Sequence, residues 1–407
     1  MVPLLRRGAL GGMMKFTRAS TAQVLGADGA TYASVASGVP RFSGSAQRLV
    51  VHEARTNALR NPRWEGAVAG SPGTAPTYMA RSNSANVTVA IAGTNTEYGM
   101  PYMDVSFSGT TAGAIEYPEL RLEASNQIAA TVGQVCAAGA FCRVVSGSFP
   151  GTCSISTCGY EYNSSGVFLA SAPSNNIGTP TGAIAWMGGT TTLVQGSVAY
   201  WRPCWTITIP AATAVNFTLR LYSPAANVNI TNGIMLPPPG LPVAGTPAAF
   251  AQAADAVTMA GAAHPSAGTL LLRGWVREQS SLARPLVSVD DGSLANAILV
   301  QINAASLSVR AFPRLAGVSG SVAIGGNVTA GAEFNLGVSW GAGVVAISLN
   351  GAAAVTTTQT LPTNLTTLRL GCNSSAAYAN AEFAMADYAP GLAVPPAQLQ
   401  AMTAALT

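Results

Sequence analysis

Acids are scarce enough in this chain that every arrangement able to do chemistry can be enumerated: Asp and Glu together number 16 in 407 residues. Glycoside hydrolysis is the first enzyme class to test, and it needs two carboxyl groups about 5–10 Å apart across a cleft. Glu119 and Glu123 share one face of a predicted strand with Arg121 between them, which fits a solvated outer face better than a catalytic pair. Asp290-Asp291-Gly292-Ser293 resembles the start of a calcium loop. A hard cation wants several oxygen ligands, and no further acid follows at the right spacing, so a plain turn is expected. Asp255 and Asp387 stand beside strand-like segments, where arginine partners would suit them, and neither has an obvious catalytic mate. The two histidines, His52 and His264, are far apart, and HExxH and paired CxxC patterns, the signatures of zinc sites, are missing. No catalytic residue, metal ligand or cofactor is assigned, and the protein is expected not to be an enzyme.

Aromatic rings are the other means of holding a sugar, since the C–H face of a pyranose stacks on them. Tyr160 and Tyr162 share a strand face, and Trp201 and Trp205 flank Pro203. Tyr160, Tyr162 and Trp201 are the candidate glycan-binding residues; core packing is the competing account, because such rings fill cores as readily as interfaces. The body after residue 63 is nearly neutral and has no lysine, so stacking is expected to outweigh ion pairing. It also has too few basic groups to follow a phosphate backbone, so nucleic acid is not an expected partner.

Six cysteines stand at 136, 142, 153, 158, 204 and 372. Cys136 and Cys142 fall on one strand face roughly 20 Å apart at about 3.3 Å per residue, too far to bridge each other. The opening MVPLLRRGALGGMMKF is no secretory signal, because Gly breaks its apolar stretch. All six cysteines are therefore expected to be small buried hydrophobes. No apolar run is long enough to span a bilayer, so no membrane insertion is expected.

Short alternating runs position these residues. Val87, Val89 and Ile91 share a face, as do Met103, Val105 and Phe107, and Phe217, Leu219 and Leu221. Such alternation predicts half-buried antiparallel strands. Phe334, Leu336, Val338 and Trp340 alternate, Gly341-Ala342-Gly343 turns, and Val345, Ile347 and Leu349 alternate back, which predicts a hairpin. Leu399, Met402 and Leu406, after Pro395-Pro396, predict one short C-terminal helix. Leu236-Pro237-Pro238-Pro239-Gly240 predicts a linker. The fold class is thus all-β: an irregular N-terminal arm over 1–60, then antiparallel β-sandwiches over 61–236 and 241–407. Residues 1–63 hold nine basic groups against two acids, and such a segment ahead of a neutral body predicts a docking arm that orders against a partner. Residues 61–407 alone are then expected to fold.

The opening segment also carries a resemblance. Phe16-Thr17-Arg18-Ala19-Ser20, then Ala27-Asp28-Gly29, Pro40-Arg41-Phe42 and Glu53-Ala54-Arg55-Thr56-Asn57-Ala58-Leu59 resemble the opening module of tailed-phage fibre and spike proteins and of gene-transfer-agent head spikes. Asn61-Pro62-Arg63-Trp64-Glu65-Gly66 through Asn229 resembles a carbohydrate-binding-module-like jelly roll. About Asp255 through Leu399, including Gly337-Val338-Ser339-Trp340 and Leu368-Arg369-Leu370-Gly371, resembles a concanavalin A-like, laminin-G-like sandwich. The resemblance implies a head spike or tail-associated fibre at the virion surface, made in the cytoplasm of a bacterial host. It would attach to a capsid vertex or tail through its arm and contact host surface polysaccharide. The alternative is a structural decoration or adaptor that holds another fibre and binds no glycan. A homotrimer is expected, with a pentamer as the alternative. Arg18, Arg41, Arg55 and Asn57 would anchor the arm structurally, Arg55 and Asn57 by bonding loop carbonyls.

Overall fold

The alternation in Glu333–Gly341 and Val344–Leu349 folds as the predicted hairpin, with Leu336 opposite Leu349, Val338 opposite Ile347 and Trp340 opposite Val345. Ala342 and Gly343 turn the chain at φ 48° and 79°, the left-handed pair that a two-residue hairpin turn requires. In this computed structural model the described residues are 1–407 except 7, 29–31, 229–249, 261–265, 277–282, 305, 376 and 407. The predicted linker at 236–240 therefore lies outside the described residues apart from its sequence. The chain is nearly all β with antiparallel sheets and a single helix among the described residues. It divides into two compact units, residues 55–251 and residues 1–54 with 252–407.

Unit 55–251 is a sandwich. One sheet runs in the order Val87–Glu97, Met100–Thr110, Ala214–Asn227, Val135–Gly147 and Ala185–Thr192. The other runs Phe168–Asn176, Ser154–Tyr162, Tyr200–Thr208, Glu119–Arg121 and Ala80–Ser82, with Ile128–Ala129 paired beside Tyr200–Thr208. The inward positions of both sheets meet in one core, which contains Val89, Ile91, Val105, Phe217 and Leu219 from the first and Leu120, Ile155, Trp201, Trp205 and Ile207 from the second. These inward residues alternate with outward polar ones, the mark of a sheet with one buried face.

Residues 1–54 are not an arm apart from the rest. Val2–Arg6 and Arg48–Val51 both pair with Ala381–Pro390, and Lys15–Thr17 pairs with Ala256–Ala260. Leu4, Leu5, Leu49 and Val51 are fully buried in the same core as Leu270, Leu336, Trp340 and Phe383. The segment supplies too few apolar residues for a core of its own, and strands distant in sequence provide the missing partners. The expected boundary at residue 60 is thus replaced by one after Ala54, and residues 61–407 lack part of the sandwich to which 252–407 belong.

The helix Pro396–Ala404 starts on Pro at its first position, where the lost N–H has no intrahelical partner to lose. It buries Leu399 and Thr403 over Gly337, where a Cβ would lie 2.7 Å from Thr403 Cγ2 and 2.8 Å from Leu399 Cδ1.

Candidate functional site

Strand parity in Tyr200–Thr208 sorts its residues between two environments. Trp201, Trp205 and Ile207 face the core, so Tyr200 and Arg202 face outward. Trp201 is 1% exposed, which removes it from the glycan candidates: its ring is core, seated against Gly159. Tyr160 and Tyr162 do lie on the outer face, opposite Arg202 and Tyr200 in the ladder. Phe168, opposite Tyr162 on the next strand and 51% exposed, makes edge contacts with both tyrosine rings at centroid distances of 5.9 and 5.7 Å.

Two arginines flank these rings. Arg202 lies over the Tyr162 ring with Cζ 3.9 Å from the centroid, and Arg121 lies 5.4 Å from that of Tyr160. Such contacts hold a guanidinium flat against an aromatic face. The Nε–H of Arg202 donates to Asn126 Oδ1 at 2.8 Å, and that of Arg121 donates to Glu119 at 3.3 Å. The Tyr160 hydroxyl also donates to Glu119. Burial, and then that hydrogen bond to a carboxylate, pushes the Tyr160 phenol well above the ordinary tyrosine range. Tyr160 therefore stays a neutral donor.

On the same face Cys158 and Cys204, direct partners in the ladder with Cα atoms 5.2 Å apart, form a disulfide. This corrects the expectation of six free thiols: the two residues are 46 apart in sequence, and only the sheet register brings them together. Cys136, Cys142, Cys153 and Cys372 are buried and form no disulfide among the described residues.

The other sheet carries the same residue types in a closed arrangement. Arg143 bonds both oxygens of Glu97 at 2.7 and 2.9 Å, and Arg220 bonds Glu97 at 3.0 Å and both oxygens of Asp104 at 2.8 and 2.9 Å. The Tyr222 hydroxyl donates to Glu97, and the Arg143 Nε–H donates to that hydroxyl. Burial works to raise the Glu97 carboxyl, but the hydrogen bonds from Tyr222, Arg220 and Arg143 prevail and hold it below the usual range.

Glu119 and Glu123 do not share a solvated face as expected. Glu123 is fully buried past the end of the strand, bonded by Arg60 at 2.6 and 3.0 Å and by the Ser125 hydroxyl at 3.1 Å. Asp290 is fully buried and takes hydrogen bonds from Arg369, Ser288 and the Gly292 N–H. Asp291 takes its bonds from Ser293 and Asn296, as in a turn closed on itself.

The remaining candidates lie elsewhere. Arg18 and Arg41 converge on the fully buried carboxylate of Asp255, which also accepts the His52 N–H at 3.0 Å. Arg18 further donates to the carbonyls of Ser20, Val35, Ala36 and Val39, and its burial lowers its pKa. Asn57, in the other unit, donates to the Pro224 carbonyl at 2.9 Å and accepts from the N–H groups of Leu59 and Ala226. The side chain of Arg55 is outside the described residues. Asp387 pairs with Arg6. Phe168, Arg121 and Arg202 are the residues that sequence reasoning left out of the site; their outward parity, shared with Tyr160 and Tyr162, was the available signal.

No protein-family model matches the sequence, and no curated protein matches it closely. Solved structures similar to the chain include the CBM40 of Ruminococcus gnavus IT-sialidase bound to α2,3-sialyllactose, at 14% identity over 34% of this chain and 84% of that one, TM-score 0.29. Another is the CBM22-1 xylan-binding domain of Paenibacillus barcinonensis Xyn10C, at 13% identity over 44% of this chain and 97% of that one, TM-score 0.27. A third is the tripod from the baseplate of bacteriophage Tuc2009, at 11% identity over 87% of this chain and 100% of that one, TM-score 0.30. At such values the functional reading rests on the chain's own residues.

Proposed function

We propose that the chain is a virion spike or fibre protein that contacts host surface polysaccharide through the outer face of the Ser154–Tyr162 sheet. The observation that carries the glycan part is the cluster of Tyr160, Tyr162 and the half-exposed Phe168, held in place by Arg121 and Arg202. Three rings fixed on a rigid sheet offer stacking area at little cost in side-chain entropy, which suits the flat C–H face of a sugar ring. Placement on the particle rests on the opening motifs and their likeness to phage and gene-transfer-agent spike modules.

The role is binding rather than catalysis. Glu119 is engaged by Tyr160 and Arg121, and Glu123 by Arg60 and Ser125, so the carboxylates nearest the face are committed to holding structure. Attachment to the particle is assigned to the unit that contains residues 1–54, and assembly as a homotrimer belongs to the same proposal. A pull-down of the full chain on host capsule or lipopolysaccharide tests the reading. Retention that is lost in Phe168→Ala supports it. Incorporation into particles without retention on any host glycan would favour an adaptor that holds another fibre.

A further inference from the structure

Arg202 and Arg121 stand on adjacent strands in a diagonal relation: Arg121 is opposite Cys204, and Arg202 is two residues before Cys204 on the same face. Side chains so placed start roughly 7–8 Å apart, within the span of one sugar unit. Among the described residues each guanidinium commits only its Nε, to Asn126 in one case and Glu119 in the other. The Nη groups, which form the fork best matched to an oxyanion, have no protein acceptor there. Arg202 makes no ion pair among the described residues, whereas Arg143 and Arg220 on the other sheet are closed by carboxylates.

The local charge points the same way. The face carries two arginines and one carboxylate, and Glu119 already accepts from Tyr160 and Arg121. Composition predicts that stacking outweighs ion pairing over the body as a whole; at this one face the placement of both cations reverses that weighting.

We propose that this face selects an anionic glycan, a carboxylate or phosphate on the sugar being held by the Nη groups of Arg202 and Arg121 while the ring stacks on Phe168 and Tyr162. This rests on the polysaccharide reading above and specifies its ligand class. An array of bacterial polysaccharides with uronate-bearing, phosphorylated and neutral members tests it with the full-length protein. Binding should concentrate on the anionic members, and the uronate and phosphate arms tell the two sources apart. Carboxyl reduction or dephosphorylation of a bound member should lower affinity at least tenfold. Arg202→Gln, with an unchanged melting temperature, should abolish that difference, and Arg121→Gln should reduce it. Equal binding of native and reduced or dephosphorylated forms would overturn the inference and leave the polysaccharide reading standing. Binding of no member would overturn both.

Discussion

The indole of Trp201 occupies the space beside Gly159 on the neighbouring strand, where a Cβ would come within 1.8 Å of Nε1. One wall of the core thus depends on a missing side chain directly behind the aromatic face. Gly159→Ala should force the indole or its strand to move and cost about 1–3 kcal/mol, the usual range for overpacking. Trp201→Ala should cost about 3–5 kcal/mol through the cavity it leaves. Thermal melting checks both. A Trp201 variant that melts normally but loses glycan would mean that the ring reaches the ligand after all.

The exposed rings should behave in the opposite way. Removing Phe168 or Tyr162 to Ala is expected to lower glycan affinity by about 5- to 150-fold, corresponding to about 1–3 kcal/mol per stacked ring. Melting should change little for Phe168, which is half exposed. Titration calorimetry beside a melting curve separates the two effects; intact binding with reduced stability would reassign the ring to packing.

Asp255 is the carboxylate that the buried Arg18 and Arg41 share, so Asp255→Ala removes that shared partner from both. Breaking a buried ion pair from one side costs about 3–5 kcal/mol. Deleting residues 1–54 should have the same outcome by removing Arg18 and Arg41 together with Leu4, Leu5, Leu49 and Val51. Residues 55–251, which hold their own core, should still melt cooperatively. Urea titration followed by tryptophan fluorescence would show it, and a native-like transition of both units after the deletion would contradict the assignment.

Acid should weaken the sheet that carries Glu97. Its folded pKa lies below the unfolded value near 4.5, so its contribution is present above pH 4.5 and is lost as pH falls through the folded pKa. Glu97→Gln should cost about 1.5–3 kcal/mol at pH 7, the range for hydrogen bonds to charged groups, and flatten the decline below pH 4.5. Denaturant midpoints from pH 7 to 3 check the slope; parallel curves for the two proteins would remove Glu97 from the account. Glu333, held low by Arg273 and Arg48 against the opposing effect of burial, adds loss in the same direction.

The Cys158–Cys204 bond closes a 46-residue separation. By the chain-entropy relation its removal should cost up to about 4 kcal/mol. Melting with and without a thiol reductant measures this, and identical curves would exclude the linkage from the native state.

The strands whose alternation runs cleanly, such as Glu333–Leu349, are legible because one buried face imposes a period of two. The outer aromatic pair is legible for the same reason. Trp201 was misjudged although Trp205 and Ile207, of the same parity, already marked its side as core. What the sequence could not convey is pairing across long separations: Val2–Arg6 with Ala381–Pro390, Arg18 with Asp255, Cys158 with Cys204. Short strands with one or two apolar residues have no period to read, and a register partner leaves no local trace.

The first strands of the chain belong to a sandwich whose other strands begin about 200 residues later. At a ribosomal pace of about 5–20 residues per second, Leu4, Leu5, Leu49 and Val51 wait roughly 15–80 s for Ala381–Pro390, the strand their own strands pair with, to be made. Residues 55–251 can close on themselves in that interval, while the strands Val2–Arg6 and Arg48–Val51 stay unpaired. Any chaperone that attends this protein therefore has its work at those strands, and synthesis of Ala381–Pro390, rather than the middle unit's collapse, sets when their sheet can seal.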